Sequence, residues 1–103
     1  MNSEFLILFS RRGCCLCETL EKKLSSISLE KLDPPLVLSI VDIDSEEVST
    51  DIKRKYTNEV PVLLFDSNKL LRRIEFPRFS PRLKDDLLLS WLQKNLNIFL
   101  KSP

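Results

Sequence analysis

The chain has 103 residues, a length that suits one domain over residues 1–103 and leaves little room for two. Its 43% hydrophobic and 30% charged residues are ordinary for a folded globular domain and argue against disorder. The net charge of +1 shows no basic excess of the kind found in nucleic-acid-binding proteins. No apolar run approaches the ~20 residues of a membrane-spanning helix. The lack of histidine excludes mechanisms that need an imidazole.

The first predicted element is a strand over residues 4–9. Its apolar run is continuous, which is typical of a strand covered on both faces. Because Glu4 rather than a lysine or arginine precedes the run, it does not read as a secretion signal, and a cytoplasmic location is expected. Residues 10–13 end the strand in a turn that contains the only glycine of the chain.

An amphipathic helix is predicted after this turn, followed by a second strand over residues 36–43. Four apolar residues recur at spacings of four, four and three, which is the pattern of one buried helix face. These residues are Leu16, Leu20, Leu24 and Ile27.

A second helix is predicted to begin at Asp44 as its N-cap, since Glu47 follows three residues later as in a capping box. The basic residues 53–55 close this helix and complement its dipole. A third helix is predicted to open at Ser80 as N-cap, with Pro81 as its first residue.

Two strands between these helices are predicted over residues 61–65 and 70–76, joined by a turn over residues 66–69 as a hairpin. The element order is therefore β-α-β-α-β-β-α. The first two strands should be parallel because a helix connects them. The predicted class is α/β, with a four-stranded mixed sheet flanked by helices.

Cys14 and Cys17 form a C-x-x-C pair between the first strand and the first helix. A cysteine at a helix N-terminus faces unpaired backbone N–H groups and the positive end of the dipole, which should lower its pKa from about 8.5. A second cysteine one turn later can attack a mixed disulfide and release its substrate. We therefore predict that Cys14 attacks and Cys17 resolves, and favour this over the alternative that both are buried apolar fillers.

Three neighbours of the pair have weaker assignments. Arg11 and Arg12 add positive potential and are candidate substrate-binding residues, although a solvated arginine pair is the more common outcome. Cys15 is rotated about 100° around the helix from its neighbours, so we predict a small first-turn residue rather than a third redox group.

Residues 5–17 resemble the active-site entry of glutaredoxin-like proteins of the thioredoxin superfamily. Residues 58–64, with Val60 and Pro61, resemble the second signature of that superfamily. The resemblance implies a thioredoxin-like fold and thiol–disulfide oxidoreductase activity. It also implies a cis bond before Pro61 and pairing of the Val60 backbone with a bound peptide or glutathione; the alternative is a trans proline that starts a strand.

The sequence departs from the family in three ways. No proline lies between Cys14 and Cys17, no tryptophan precedes the motif, and residues 75–79 lack a Gly-Gly pair. In glutaredoxins the Gly-Gly pair helps to hold glutathione. We therefore expect no bound cofactor and regard glutathione as a doubtful ligand.

The leading hypothesis is a small thiol–disulfide oxidoreductase. Its partners would be a disulfide-containing protein or small molecule and an unidentified reductant, without nucleic acid or membrane. One alternative is a metal or iron–sulfur scaffold in which two protomers supply four thiolates, although no metal site is predicted within one chain. Another alternative is a redox-inactive interaction domain that has kept the fold.

Overall fold

The computed structural model describes residues 4–79 and 83–101. The predicted element order is confirmed, with one added turn of 3₁₀ helix at Leu29–Lys31. The strands and helices in chain order are β1 Glu4–Ser10, α1 Cys15–Ser26, β2 Leu36–Asp42, α2 Thr50–Tyr56, β3 Val62–Ser67, β4 Arg72–Glu75 and α3 Asp85–Lys101. No helix in these two ranges is long and apolar enough to cross a membrane.

The four strands form one mixed sheet in the order β2-β1-β3-β4. The first two are parallel, as expected for strands joined through a helix, and run in register from the pair Glu4 and Leu36 to the pair Ser10 and Asp42. β3 pairs antiparallel with both β1 and β4. The α/β class, the mixed sheet and the hairpin of the last two strands, all predicted from the sequence, are confirmed.

The apolar run in β1 is explained by two cores on opposite faces of the sheet. Leu6 and Leu8 belong to a cluster that includes buried leucines of α1 and α3. Ile7 and Phe9 belong to a second cluster that includes Tyr56 of α2. Since successive side chains of a strand point to opposite faces, a central strand covered on both sides needs an uninterrupted apolar run.

The predicted face of α1 is wrong by one residue at its start. Leu20 and Leu24 are buried as expected, but Leu16 is 56% exposed and Cys17 is 1% exposed. Spacings of three and four both fit one helix face, so the pattern alone admits Cys17 as well as Leu16. The structure places the sulfur of Cys17 in the core and leaves Leu16 outside it.

The predicted start of α2 is also wrong. Ser49 is the N-cap, and its Oγ accepts the N–H of Ile52 at 3.3 Å. The Asp44 carboxylate instead receives two hydrogen bonds from the guanidinium of Arg11. A local capping pattern cannot reveal a partner 33 residues away. The basic end of α2 is as predicted.

The hairpin turn lies two residues later than predicted, because β3 continues to Ser67 and its Oγ accepts the N–H of Leu70 at 2.9 Å. β4 is correspondingly shorter than expected. The predicted cap residues Ser80 and Pro81 lie outside the described residues, and α3 is described from Asp85.

Candidate functional site

The C-x-x-C pair lies at the N-terminus of α1. Cys14 is the N-cap residue, and its Sγ accepts the N–H of Cys17 at 3.2 Å. The two cysteines are joined by a disulfide bond, with their Cα atoms 5.2 Å apart. A sulfur in this position receives a backbone donor and lies at the positive end of the helix dipole, both of which stabilise a thiolate.

The three sulfur-bearing residues differ in burial. Cys14 is partly exposed, Cys17 is 1% exposed, and Cys15 is exposed and carries a free thiol. An incoming disulfide can therefore approach Cys14 but not Cys17. This order of exposure is the one that an attacking and a resolving cysteine require.

The turn before Cys14 needs its glycine. Gly13 has a φ of +77°, in the left-handed region where other residues are disfavoured, although there is open space where a Cβ would lie. The turn is closed by a hydrogen bond from the Cys14 N–H to the carbonyl of Arg11 at 3.3 Å. Backbone conformation, and not space, therefore explains why the only glycine precedes the cysteines.

The peptide bond between Val60 and Pro61 is cis. Pro61 directly precedes β3, whose residue Val62 pairs with Phe9 near the end of β1. Pro61 also lines the same groove as Leu16 in the first turn of α1. The fold thus brings the Val-Pro segment to the helix turn that carries the cysteines, 44 residues earlier in the chain.

An apolar groove lies beside the first turn of α1. Its apolar lining includes Leu16, Pro61, Phe76, Pro77 and Phe79. Phe76 and Phe79 pack against the ring of Trp91, with centroid distances of 5.5 and 4.4 Å. Sequence reasoning missed this groove because its residues come from separate segments that carry no shared local pattern.

The guanidinium of Arg11 contacts Asp44 and Thr57. It donates to both carboxylate oxygens of Asp44, at 2.8 and 3.0 Å, and to the carbonyl and hydroxyl of Thr57, at 2.8 and 2.7 Å. The hydrogen bond and charge of Asp44 raise the pKa of Arg11, and the hydrogen bond from Arg11 lowers the pKa of Asp44. Arg12, the other candidate substrate-binding residue, is exposed.

Tyr56 packs at the end of α2, as its position in the sequence suggests. Its ring stacks on Phe9 with centroids 5.8 Å apart, and its hydroxyl donates to Glu75 at 2.9 Å. Burial raises the pKa of the phenol, and the bond to Glu75 acts in the same direction. Tyr56 is therefore a neutral packing residue near neutral pH.

A four-ligand metal site within one chain would need ligands beyond the cysteine pair. Among residues 4–79 and 83–101, no group of three or more histidine, cysteine, aspartate or glutamate side chains is placed to hold a metal ion. The pair Cys14 and Cys17 alone supplies two sulfur ligands, short of the four that structural zinc or iron–sulfur sites use.

Comparison with known proteins matched a family model and solved structures. A family model described as "Glutaredoxin-like domain (DUF836)" matches residues 5–93. A solved structure described as "Structure of a malarial protein" is similar with a TM-score of 0.59 and 19% identity, over 92% of this chain and 99% of that one. No curated protein matches the chain.

Proposed function

Because the chain belongs to the glutaredoxin-like domain family and has a thioredoxin-like fold with a cysteine pair that supports a redox role, we propose that it is a thiol–disulfide oxidoreductase. It would reduce protein or low-molecular-weight disulfides. The observation that carries this proposal is the position of the pair. Cys14 caps a helix and is partly exposed, while Cys17 is buried one turn away and within bonding reach.

The reaction begins from the reduced pair. The Cys14 thiolate attacks one sulfur of a substrate disulfide, which forms a mixed disulfide and releases the first substrate thiolate. The Cys17 thiolate then attacks the sulfur of Cys14, which forms the intramolecular disulfide and releases the second substrate thiolate. Two electrons pass from the pair to the substrate, and solvent protonates the products. An external dithiol or two monothiols return the pair to its reduced state.

The substrate would lie across the Val-Pro segment. In the family resemblance, the backbone of Val60 pairs with the substrate chain and Pro61 lies against the cysteines. The groove lined by Leu16 and Phe79 continues from Pro61 and offers an apolar surface to the residues beside the substrate cysteine. These contacts favour a disulfide within a peptide chain.

The midpoint potential of the pair tests the proposal. The purified protein is equilibrated with glutathione buffers of graded ratio, and the fraction of free Cys14 and Cys17 thiols is measured by alkylation and mass spectrometry. We expect one reversible two-electron couple together with turnover of a peptide disulfide. A pair that never re-reduces would identify a redox-inactive domain, and a purified protein with bound metal would favour the scaffold.

The reductant is tested in the same system. Oxidised protein is mixed either with glutathione, glutathione reductase and NADPH or with a thioredoxin reductase and NADPH, and NADPH consumption is followed. Turnover with one system and not the other identifies the class of reductant. Turnover with neither, in a protein that a small dithiol does reduce, would indicate a different electron donor.

A further inference from the structure

Two segments leave the sheet at the same end. The antiparallel ladder between β1 and β3 ends at the pair Phe9 and Val62. Beyond it, residues 10–13 lead to Cys14, while the chain preceding Val62 contains Val60 and Pro61. No ladder hydrogen bond joins these two segments beyond that pair in the described part of the chain. Something else must fix their relative position.

The side chain of Arg11 joins them. Its Nη1 donates to the carbonyl oxygen of Thr57 at 2.8 Å, and its Nη2 donates to the Thr57 hydroxyl at 2.7 Å. Its Nε and Nη2 donate to the two carboxylate oxygens of Asp44, at 2.8 and 3.0 Å. Asp44 follows β2 and Thr57 caps α2, so one guanidinium connects the segments that follow β1, β2 and α2.

Arg11 and Thr57 each lie three residues from a residue of the candidate site, Cys14 and Val60 respectively. The carbonyl of Arg11 accepts the N–H of Cys14 at 3.3 Å, so the same residue closes the turn before the cysteine. Thr57 caps the C-terminus of α2, three residues before Val60. The intervening chain is itself constrained, because the N–H of Glu59 donates to the carbonyl of Tyr56 at 2.9 Å.

We propose that Arg11 is a positioning residue that holds the Cys14 turn and the Val60 segment in register, with Asp44 fixing the orientation of its guanidinium. This inference rests on the proposed oxidoreductase function. Attack on a peptide disulfide requires the Cys14 sulfur and the Val60 backbone to meet one substrate at the same time. A displacement of about 1 Å between such groups can cost about 100-fold in rate.

The planar guanidinium is suited to this role and an ammonium is not. Four hydrogen bonds to acceptors on two residues need donors in a fixed plane, which lysine lacks. A lysine at position 11 would keep the positive charge but lose the connection. The two substitutions Arg11→Gln and Arg11→Lys therefore separate positioning from charge.

The test compares two reactions of Cys14 in a Cys15→Ser background. Turnover of a synthetic peptide disulfide needs both segments, whereas alkylation of the reduced protein by iodoacetamide needs only the Cys14 thiolate. We expect Arg11→Gln and Arg11→Lys to lower kcat/KM for the peptide at least about tenfold and to change the alkylation rate less than about threefold. Arg73→Gln is the control, because it removes a β4 arginine that pairs with Asp66 of β3 and should change neither rate.

Several results would overturn the inference. Equal losses in both reactions would mean that Arg11 acts on the thiolate itself, and full turnover in Arg11→Lys would mean that charge alone suffices. Thr57→Val keeps the Asp44 pair and removes one acceptor, so its turnover should fall by a smaller factor; if Arg11→Gln does not fold, wild-type turnover in Thr57→Val overturns the inference. An inactive wild-type protein would instead refute the proposed function.

Discussion

Three adjacent thiols have three different environments. Cys14 caps the helix, Cys15 is exposed on its first turn, and Cys17 is in the core. Since all three lie within four residues, sequence proximity does not decide their roles. We expect rotation around the helix and depth below the surface to decide them, because thiol–disulfide exchange needs one accessible sulfur and a second sulfur within bonding reach.

Single substitutions at the three cysteines test this assignment. We expect Cys14→Ser to abolish disulfide reduction, because the accessible nucleophile is lost. Cys17→Ser should accumulate mixed disulfides, since the first attack proceeds and release fails. Cys15→Ser is the matched control and should keep most of the activity. The measurements are peptide-disulfide turnover, intact mass after substrate addition, and alkylation rate against pH.

Two results would contradict the assignment. Loss of activity in Cys15→Ser alone would show that the motif works through a different pair. Alkylation of Cys15 that is faster than that of Cys14 near neutral pH would place the nucleophile one residue later. Either result would show that the burial of the three cysteines does not predict which of them is the nucleophile.

Asp44 gives the ion pair with Arg11 a defined pH dependence. The hydrogen bond from Arg11 lowers the pKa of Asp44 below its ordinary 3.8, and the charges of Arg11 and Lys53 act in the same direction. The stabilisation is therefore fully present above about pH 4 and is lost as the pH falls through the lowered pKa. We expect the stability difference between wild type and Asp44→Asn, measured by urea unfolding, to shrink toward zero below pH 4.

The control for this prediction is the Arg11→Gln background. There the guanidinium is absent, so Asp44→Asn should change the free energy of unfolding little at any pH. If the stability difference between wild type and Asp44→Asn grows in acid, Asp44 stabilises the fold through something other than its negative charge.

The pair Cys14 and Cys17 could be found from the sequence because its chemistry is encoded by local spacing. The partners of Arg11 could not. Asp44 and Thr57 lie 33 and 46 residues away, and neither belongs to a pattern that points to an arginine. The sequence identified Arg11 as a candidate from its place beside the motif, and its contacts depend on how the ends of β1, β2 and α2 come together.

At the scale of elements, α1 shows how well hydrophobic periodicity predicts which residues are buried. Leu24 is 1% exposed and Leu16 is 56% exposed, although both fit the same predicted face. We expect Leu24→Ala to lower the free energy of unfolding by about 2–5 kcal/mol, since it leaves a cavity in the core. Leu16→Ala is the matched control and should cost about 0.5 kcal/mol or less. Chemical denaturation measures both, and equal costs would restore the face predicted from the sequence.

The start of α2 shows a different limit. Asp44 with Glu47 fits a capping box, yet Ser49 caps the helix. Local patterns identify residues that are able to cap, and tertiary contacts choose among them. Here Asp44 pairs with Arg11, and Ser49 caps the helix five residues later.

At the scale of the whole molecule, the element order, the parallel pairing of β1 with β2 and the hairpin of β3 and β4 were predictable, because each element has a clear period and the connections leave few topologies. The central pairing of β1 with β3 was not predicted. The apolar groove was not predictable. Leu16, Pro61 and Phe79 come from three distant parts of the chain, and only the packed fold brings them together.

The composition of the groove leads to a prediction about glutathione. Residues 75–79 lack the Gly-Gly pair of glutaredoxins, and the segment instead contributes Phe76 and Phe79 to an apolar surface. We expect weak glutathione binding and slow turnover of glutathione mixed disulfides relative to a peptide disulfide. Titration calorimetry of the Cys14→Ser variant and a coupled turnover assay measure the two effects. Rapid glutaredoxin-type turnover would contradict the prediction.

The central place of β1 in the sheet has a consequence for synthesis. β1 is the first strand made, but its neighbour β3 begins about 50 residues later, which at about 5–20 residues per second is roughly 3–10 s of translation. Throughout that interval Cys14 and Cys17 are attached to a strand that lacks one of its two partners. The segment that carries the cysteine pair therefore gains its second neighbouring strand late in synthesis.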